Sequence, residues 1–122
     1  MKITLFSFGF KHAYPEADTV FDVRFLPNPY WVDDLRSQSG RQRQVAAYVL
    51  DNDQGLRLTE HLQSFLSFYL EGHQKAGRED FVLAVGCTGG RHRSVAVVEF
   101  LQKMLADTEF DLNVYHRDID KE

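Results

Sequence analysis

The chain has a single cysteine, Cys87, so no disulfide can form within it, and a reducing compartment suits it. No apolar run approaches the roughly 20 residues of a bilayer span, and the first residues lack the basic-then-apolar layout of a secretory signal. A cytoplasmic location away from membranes is the expectation that follows. Cations are in the minority: 14 Lys and Arg stand against 18 Asp and Glu, a net charge of −4. Nucleic-acid binding draws on phosphate neutralisation, and this balance gives it no general support. A G-x-x-x-x-G-K-[S/T] box is missing, which argues against nucleotide hydrolysis. One cysteine and scattered histidines lack metal-ligand spacing, so neither a metal nor another cofactor is expected. Repeats, linkers and low-complexity segments are missing too.

What is present is an ordinary globular composition in 122 residues, enough for one domain, 1–122, with its own core. Lys2 to Phe8 alternates as a strand that Gly9 stops. Thr19 to Leu26 reads as a second strand, broken by Pro27 and Pro29. The pattern then turns helical, from Arg41 to Leu50 and again from Leu58 to Leu70. In the second helix Leu58, Leu62, Phe65, Leu66 and Tyr69 share one face. Asp51 to Gly55 between them is turn chemistry, and Gly77 ends the long helix. Phe81 to Val85 is a third strand, Val95 to Leu105 a helix, and Phe110 to Tyr115 a fourth strand. Strands separated by helices predict an α/β fold with a small, mainly parallel sheet flanked by helices. Ligands of such sheets sit beyond the carboxyl ends of the strands, which would bring Gly86 to Ser94 and Asp22 to Pro29 together.

The run from Gly86 to Ser94 reads G-C-T-G-G-R-H-R-S, between a buried strand and a helix start. Such a turn gathers free backbone N–H groups at the positive end of a helix dipole, and so suits an anion. Arg91, His92 and Arg93 add formal charge, and phosphate is the most economical ligand. The same run fits Cys-x5-Arg-Ser, from Cys87 through Arg93 to Ser94, the spacing of cysteine phosphatases. A helix start would activate the Cys87 thiolate. That chemistry also needs a general acid, and no spacing selects one among Asp22, Asp33 and Asp34. Leu26 to Trp31, L-P-N-P-Y-W, is a rigid turn: either a lid over the sheet edge, or a pocket wall with Asn28 polar and Tyr30 or Trp31 stacking on a ring.

F-G-F-K-H (Phe8 to His12), F-D-V-R-F-L-P-N-P (Phe21 to Pro29) and the run Gly86 to Ser94, with Tyr115-His116-Arg117, together resemble the RapZ C-terminal domain over essentially the whole chain. The family's full-length members precede this domain with a nucleotide-binding domain bearing a Walker A box, so the chain looks like a stand-alone version of the second half. The resemblance implies a non-enzymatic sensor or adapter that binds an aminosugar phosphate, glucosamine-6-phosphate, and small regulatory RNA. It implies a pocket of Cys87, Thr88, Gly89, Gly90, His92, Arg93 and Ser94, with Asp22, Arg24 and Asn28 from the other motif. On this reading Arg93 pairs with the phosphate and Asp22 meets an amine or hydroxyl. Two departures stand out. Tyr30 occupies a position where the family typically has histidine. The chain ends Asp118-Ile119-Asp120-Lys121-Glu122, where the family's RNA-binding end is basic, and these carboxylates would repel phosphate. A homo-oligomer that juxtaposed the Arg36, Arg41, Arg43 and Arg57 regions of two subunits would restore a basic face.

Overall fold

Four apolar runs become strands, and all of them run the same way. The computed structural model describes residues 1–121. In chain order it contains β1 (Lys2–Gly9), β2 (Thr19–Asp22), a 3-10 turn (Pro29–Trp31), α1 (Asp33–Arg36), α2 (Arg43–Leu50), α3 (Asp53–Lys75), β3 (Asp80–Cys87), α4 (Arg93–Leu105) and β4 (Asp111–His116). The sheet order is β2-β3-β1-β4, every pair parallel. Central strands β1 and β3 are covered on both faces, which is why their sequences are nearly continuous apolar runs.

Alternation divides those runs between two clusters. Ile3, Leu5, Phe81, Leu83 and Val85 face the helices and join Val49, Leu66, Leu70, Val97 and Leu101 in the main core. On the other face Phe6, Phe8 and Ala84 pack with Phe10 and Ala17 of the β1–β2 connection, and with no helical residue. Of the predicted α3 face, Leu62 and Leu66 are buried, whereas Phe65 keeps 43% of its surface exposed.

Among the boundaries that differ from the sequence expectation, three have a clear local reason. β2 stops at Asp22 rather than Leu26, because the Asp22 carboxylate accepts the Arg24 N–H (3.0 Å) and the Leu26 N–H turns back to the Val23 carbonyl (3.2 Å). α2 begins at Arg43 rather than Arg41, because the Gln42 side chain accepts the N–H and hydroxyl of Ser39 and closes a turn ahead of it. α3 begins at Asp53 rather than Leu58. Asn52 caps it by accepting the Gly55 N–H (2.9 Å), while its amide donates to the Tyr48 and Val49 carbonyls that end α2. Gly55 is therefore a helical residue, and its missing side chain lets α3 press against the Leu50 backbone. Gly77, at φ +93°, ends α3 as expected. The 3-10 turn and α1 carry too little periodicity to be read in advance.

Candidate functional site

The parallel sheet puts Gly9, Asp22, Cys87 and His116, the last residues of the four strands, at one edge. From β3 the chain runs through residues 88–92 into α4, whose first turn has no side-chain cap. The N–H groups of Gly89, Gly90, Arg91 and His92 meet no acceptor among the described residues. With the unpaired N–H groups that open any helix, they form a cradle of donors at the positive end of the α4 dipole. Its shape depends on glycine contacts: β1 ends in Gly9 directly against Gly89 and Gly90, and Gly90 turns at φ +78°.

Above this loop lies a cleft of about 630 Å³ lined by Lys11, Asn28, Tyr30, Trp31, Arg36, Cys87, Thr88, Gly89, Arg91, His92, Arg93 and Lys121. Five of these residues are Lys or Arg, and none is Asp or Glu. The field inside therefore favours an anion in spite of the chain's net negative charge. Arg93 is 6% exposed; its Nη1 donates to the carbonyls of Arg24 (2.5 Å) and Leu26 (3.4 Å), and its Nη2 to the Thr88 hydroxyl (3.5 Å). The Arg91 guanidinium donates to the Ser37 and Gln38 carbonyls, and the His92 ring bonds the Arg36 carbonyl (3.1 Å). These partners are neutral: Arg91 ties the segment after α1 to the loop, and Arg93 ties the segment after β2 to it while its charge also acts on Asp22 nearby. Lys11 forms no ion pair among the described residues, and its stem lies over Gly89. Tyr30 and Trp31 pack edge to face, with centroids 5.1 Å apart, and make the aromatic wall. Asn28 accepts the Tyr30 N–H through its Oδ1 and so fixes that wall.

The expected site residues separate into three groups. Cys87, Thr88, Gly89, His92, Arg93 and Asn28 line the cleft together. Gly90 and Ser94 stand behind it: Ser94 is fully buried and accepts a hydrogen bond from the Cys87 thiol (3.2 Å). Asp22 and Arg24 are not among the lining residues. Arg24 grips Asp22 with two guanidinium nitrogens, holding its carboxyl below the usual range, and lies 4.0 Å over the Phe10 ring. Sequence reasoning left Lys11, Arg36 and Lys121 out of the site. Lys11 and Lys121 are remote from the loop in sequence, and only the sheet edge gathers them. Of the acidic ending, Asp118 differs from expectation: it is fully buried and bonded to Arg117 and Lys121, so its charge does not face an incoming phosphate, whereas Asp120 is exposed and Glu122 lies outside the described residues.

Over residues 1–120 the sequence matches the RapZ C-terminal domain. The chain belongs to that family. It is 48% identical to a nucleotide-binding protein of Lawsonia intracellularis over 96% of this chain and 37% of that protein. It is 44% identical to one of Limosilactobacillus fermentum over 98% of this chain and 42% of that protein. A nucleotide-binding protein of Mycolicibacterium vanbaalenii is 43% identical over 98% of this chain and 38% of its own length. The chain thus spans about two fifths of the curated relatives it matches. Among the described residues of this RapZ C-terminal domain no helix is long and apolar enough to cross a membrane.

Two buried histidines give the domain a pH dependence. Burial, with Arg91 and Arg93 nearby, pushes the His92 pKa down. Burial also lowers His116, whose ring bonds Ser7 (2.7 Å) and Glu99 (3.3 Å). Folded values below the unfolded one mean that the unfolded chain binds more protons. Stability is then full above about pH 6.5 and is lost as pH falls through that value toward the folded ones. The Asp118 carboxyl is depressed as well, from a lower ordinary value, so its contribution persists until pH falls below about 4. Urea midpoints should drop between about pH 7.5 and 5.5, and equal midpoints would contradict this assignment.

Proposed function

We propose that the cleft binds the phosphate of a small phosphorylated sugar and that the domain works as a ligand sensor or adapter rather than an enzyme. One observation carries the reading: a helix start with free N–H groups opens into a cleft lined, among the described residues, by five Lys or Arg and no carboxylate. The phosphate sits over Gly89 to Arg93 and the sugar ring lies toward Tyr30 and Trp31. Glucosamine-6-phosphate, the ligand implied by the family, is the first to test. Asp22, expected to meet its amine, is engaged by Arg24 outside the lining, so the phosphate supplies most of the affinity. Calorimetry should show binding of glucosamine-6-phosphate and none of glucosamine. Equal heats for the two would remove the assignment. The relatives' nucleotide binding is not carried over, since no Walker A box lies in this sequence.

The phosphatase alternative loses support from the same lining. Asp22 is bound to Arg24 and Asp33 to Arg36, and among the described residues no carboxylate lines the cleft to protonate a leaving oxygen. Cys87 is 2% exposed and bonded to Ser94. Cys87→Ser should leave phosphosugar affinity within about tenfold, since a wall contact and a weak donor are all that change. Turnover of an aryl phosphate that vanished in this variant would transfer the assignment to the enzyme.

RNA, the other ligand implied by the family, is a second reading for the rim of the cleft. The burial of Asp118 beneath Arg117 and Lys121 favours it. Two of the four arginines expected to build a basic face in an oligomer weigh against it, because Arg36 pairs with Asp33 and Arg57 with Asp53. The phosphosugar reading is the better supported.

A further inference from the structure

Residues Arg117 to Asp120 form a turn after β4, and Asp118 is its anchor. The Asp118 carboxylate has no exposed surface. It accepts the Gly9 N–H (2.7 Å), the Arg117 Nε and Nη2 (3.1 and 2.8 Å) and the Lys121 ammonium (2.7 Å). Gly9 is the residue pressed against Gly89 and Gly90, so this carboxylate joins the back of the anion loop to the β4 turn. One negative charge is shared by two cations. Arg117 is drawn away from the cleft, toward the Ala13 carbonyl (2.7 Å) and the Phe8 ring (5.4 Å). Lys121 is half-exposed and lines the cleft, and there it presents the charge that Asp118 leaves uncompensated.

We infer that Lys121 is a ligand-contacting residue of the phosphosugar site and that Asp118 is its positioning residue, holding both the ammonium and the Gly9–Gly90 junction in register. The assignment deepens the phosphosugar reading and rests on it. The turn after β4 is then a wall of the cleft, and the chain's far segments meet at the bound anion. Lys121 contributes little to the fold, because its ammonium is half in solvent and the buried Asp118 carboxylate keeps Arg117 and the Gly9 N–H without it. Asp118 does, because removing a buried carboxylate strands two cations and a backbone donor.

The test is calorimetry with glucosamine-6-phosphate on wild type, Lys121→Ala, Lys121→Arg and Asp118→Asn, with thermal melts in parallel. Lys121→Ala should melt with wild type and bind about five- to tenfold more weakly, the scale of one solvent-screened charged hydrogen bond. Lys121→Arg should restore affinity. Asp118→Asn should melt earlier, and where it remains folded Lys121→Ala added to it should cost no further affinity. Wild-type affinity in Lys121→Ala would overturn the inference and leave the phosphosugar reading standing. No binding by wild type would overturn both.

Discussion

Gly90→Ala should lower folding stability by about 2–5 kcal/mol, a backbone effect with two parts. The first is conformational: Gly90 lies at φ +78°, where an L side chain costs about 1–2 kcal/mol. The second is steric. An added Cβ would lie 2.5 Å from the Gly9 nitrogen and 2.8 Å from the Phe8 carbonyl carbon, both backbone atoms of a central strand that cannot give way. Overpacking of that kind costs typically about 1–3 kcal/mol more. For a domain of this size the loss corresponds to a melting point lower by roughly 10–20 °C. Gly89→Ala is the matched control, because its Cβ would meet only the Lys11 stem at 4.0 Å. Its melting point should stay within a few degrees of wild type. Equal melting points for the two variants would show that the Gly9–Gly90 approach is not what holds the loop.

Arg93→Ala should weaken phosphosugar binding by about 1.5–3 kcal/mol, or roughly 10- to 150-fold, the scale of a charge-assisted hydrogen bond to an anion. Two losses combine there. The anion loses a guanidinium that is set in the cleft wall and makes no direct ion pair among the described residues. The carbonyls of Arg24 and Leu26 lose their donor, so the segment that carries Asn28 and the aromatic wall is no longer tied to α4. Arg93→Lys separates the two. A lysine supplies charge but cannot span both carbonyls and the Thr88 hydroxyl with a planar fork. It should recover part of the affinity and little of the segment's order. Calorimetry reads the first, and amide hydrogen exchange over residues 24–31 reads the second. Unchanged affinity in Arg93→Ala would remove this residue from the anion site.

The class of fold was legible in the order of residues, and so was the edge of the sheet at which the loop and the segment after β2 meet. Strand runs alternating with helical periodicity allow few arrangements other than a parallel sheet, and that topology puts the loop after β3 beside the segment after β2. Cys87 to Arg93 was legible for a local reason: glycines, a helix start and clustered cations need no tertiary information to be read as an anion cradle. Tyr30 and Trp31 had two readings in the sequence, a lid or a pocket wall, and both residues line the cleft.

Which charges share a neighbourhood is visible only in the folded chain. Asp22 and Arg24, which the family resemblance implies for the site, pair with each other on the tight turn after β2, beside the residues that line the cleft. Lys11 and Lys121 look like solvated surface, yet the sheet edge brings them to the loop from 110 positions apart in sequence. Asp118 reads as part of an acidic ending, yet it is the buried counter-charge to Arg117 and Lys121. Formal charge is a property of the sequence. Whether that charge faces solvent, a partner or a ligand depends on which groups share its surroundings, and only the folded chain specifies those.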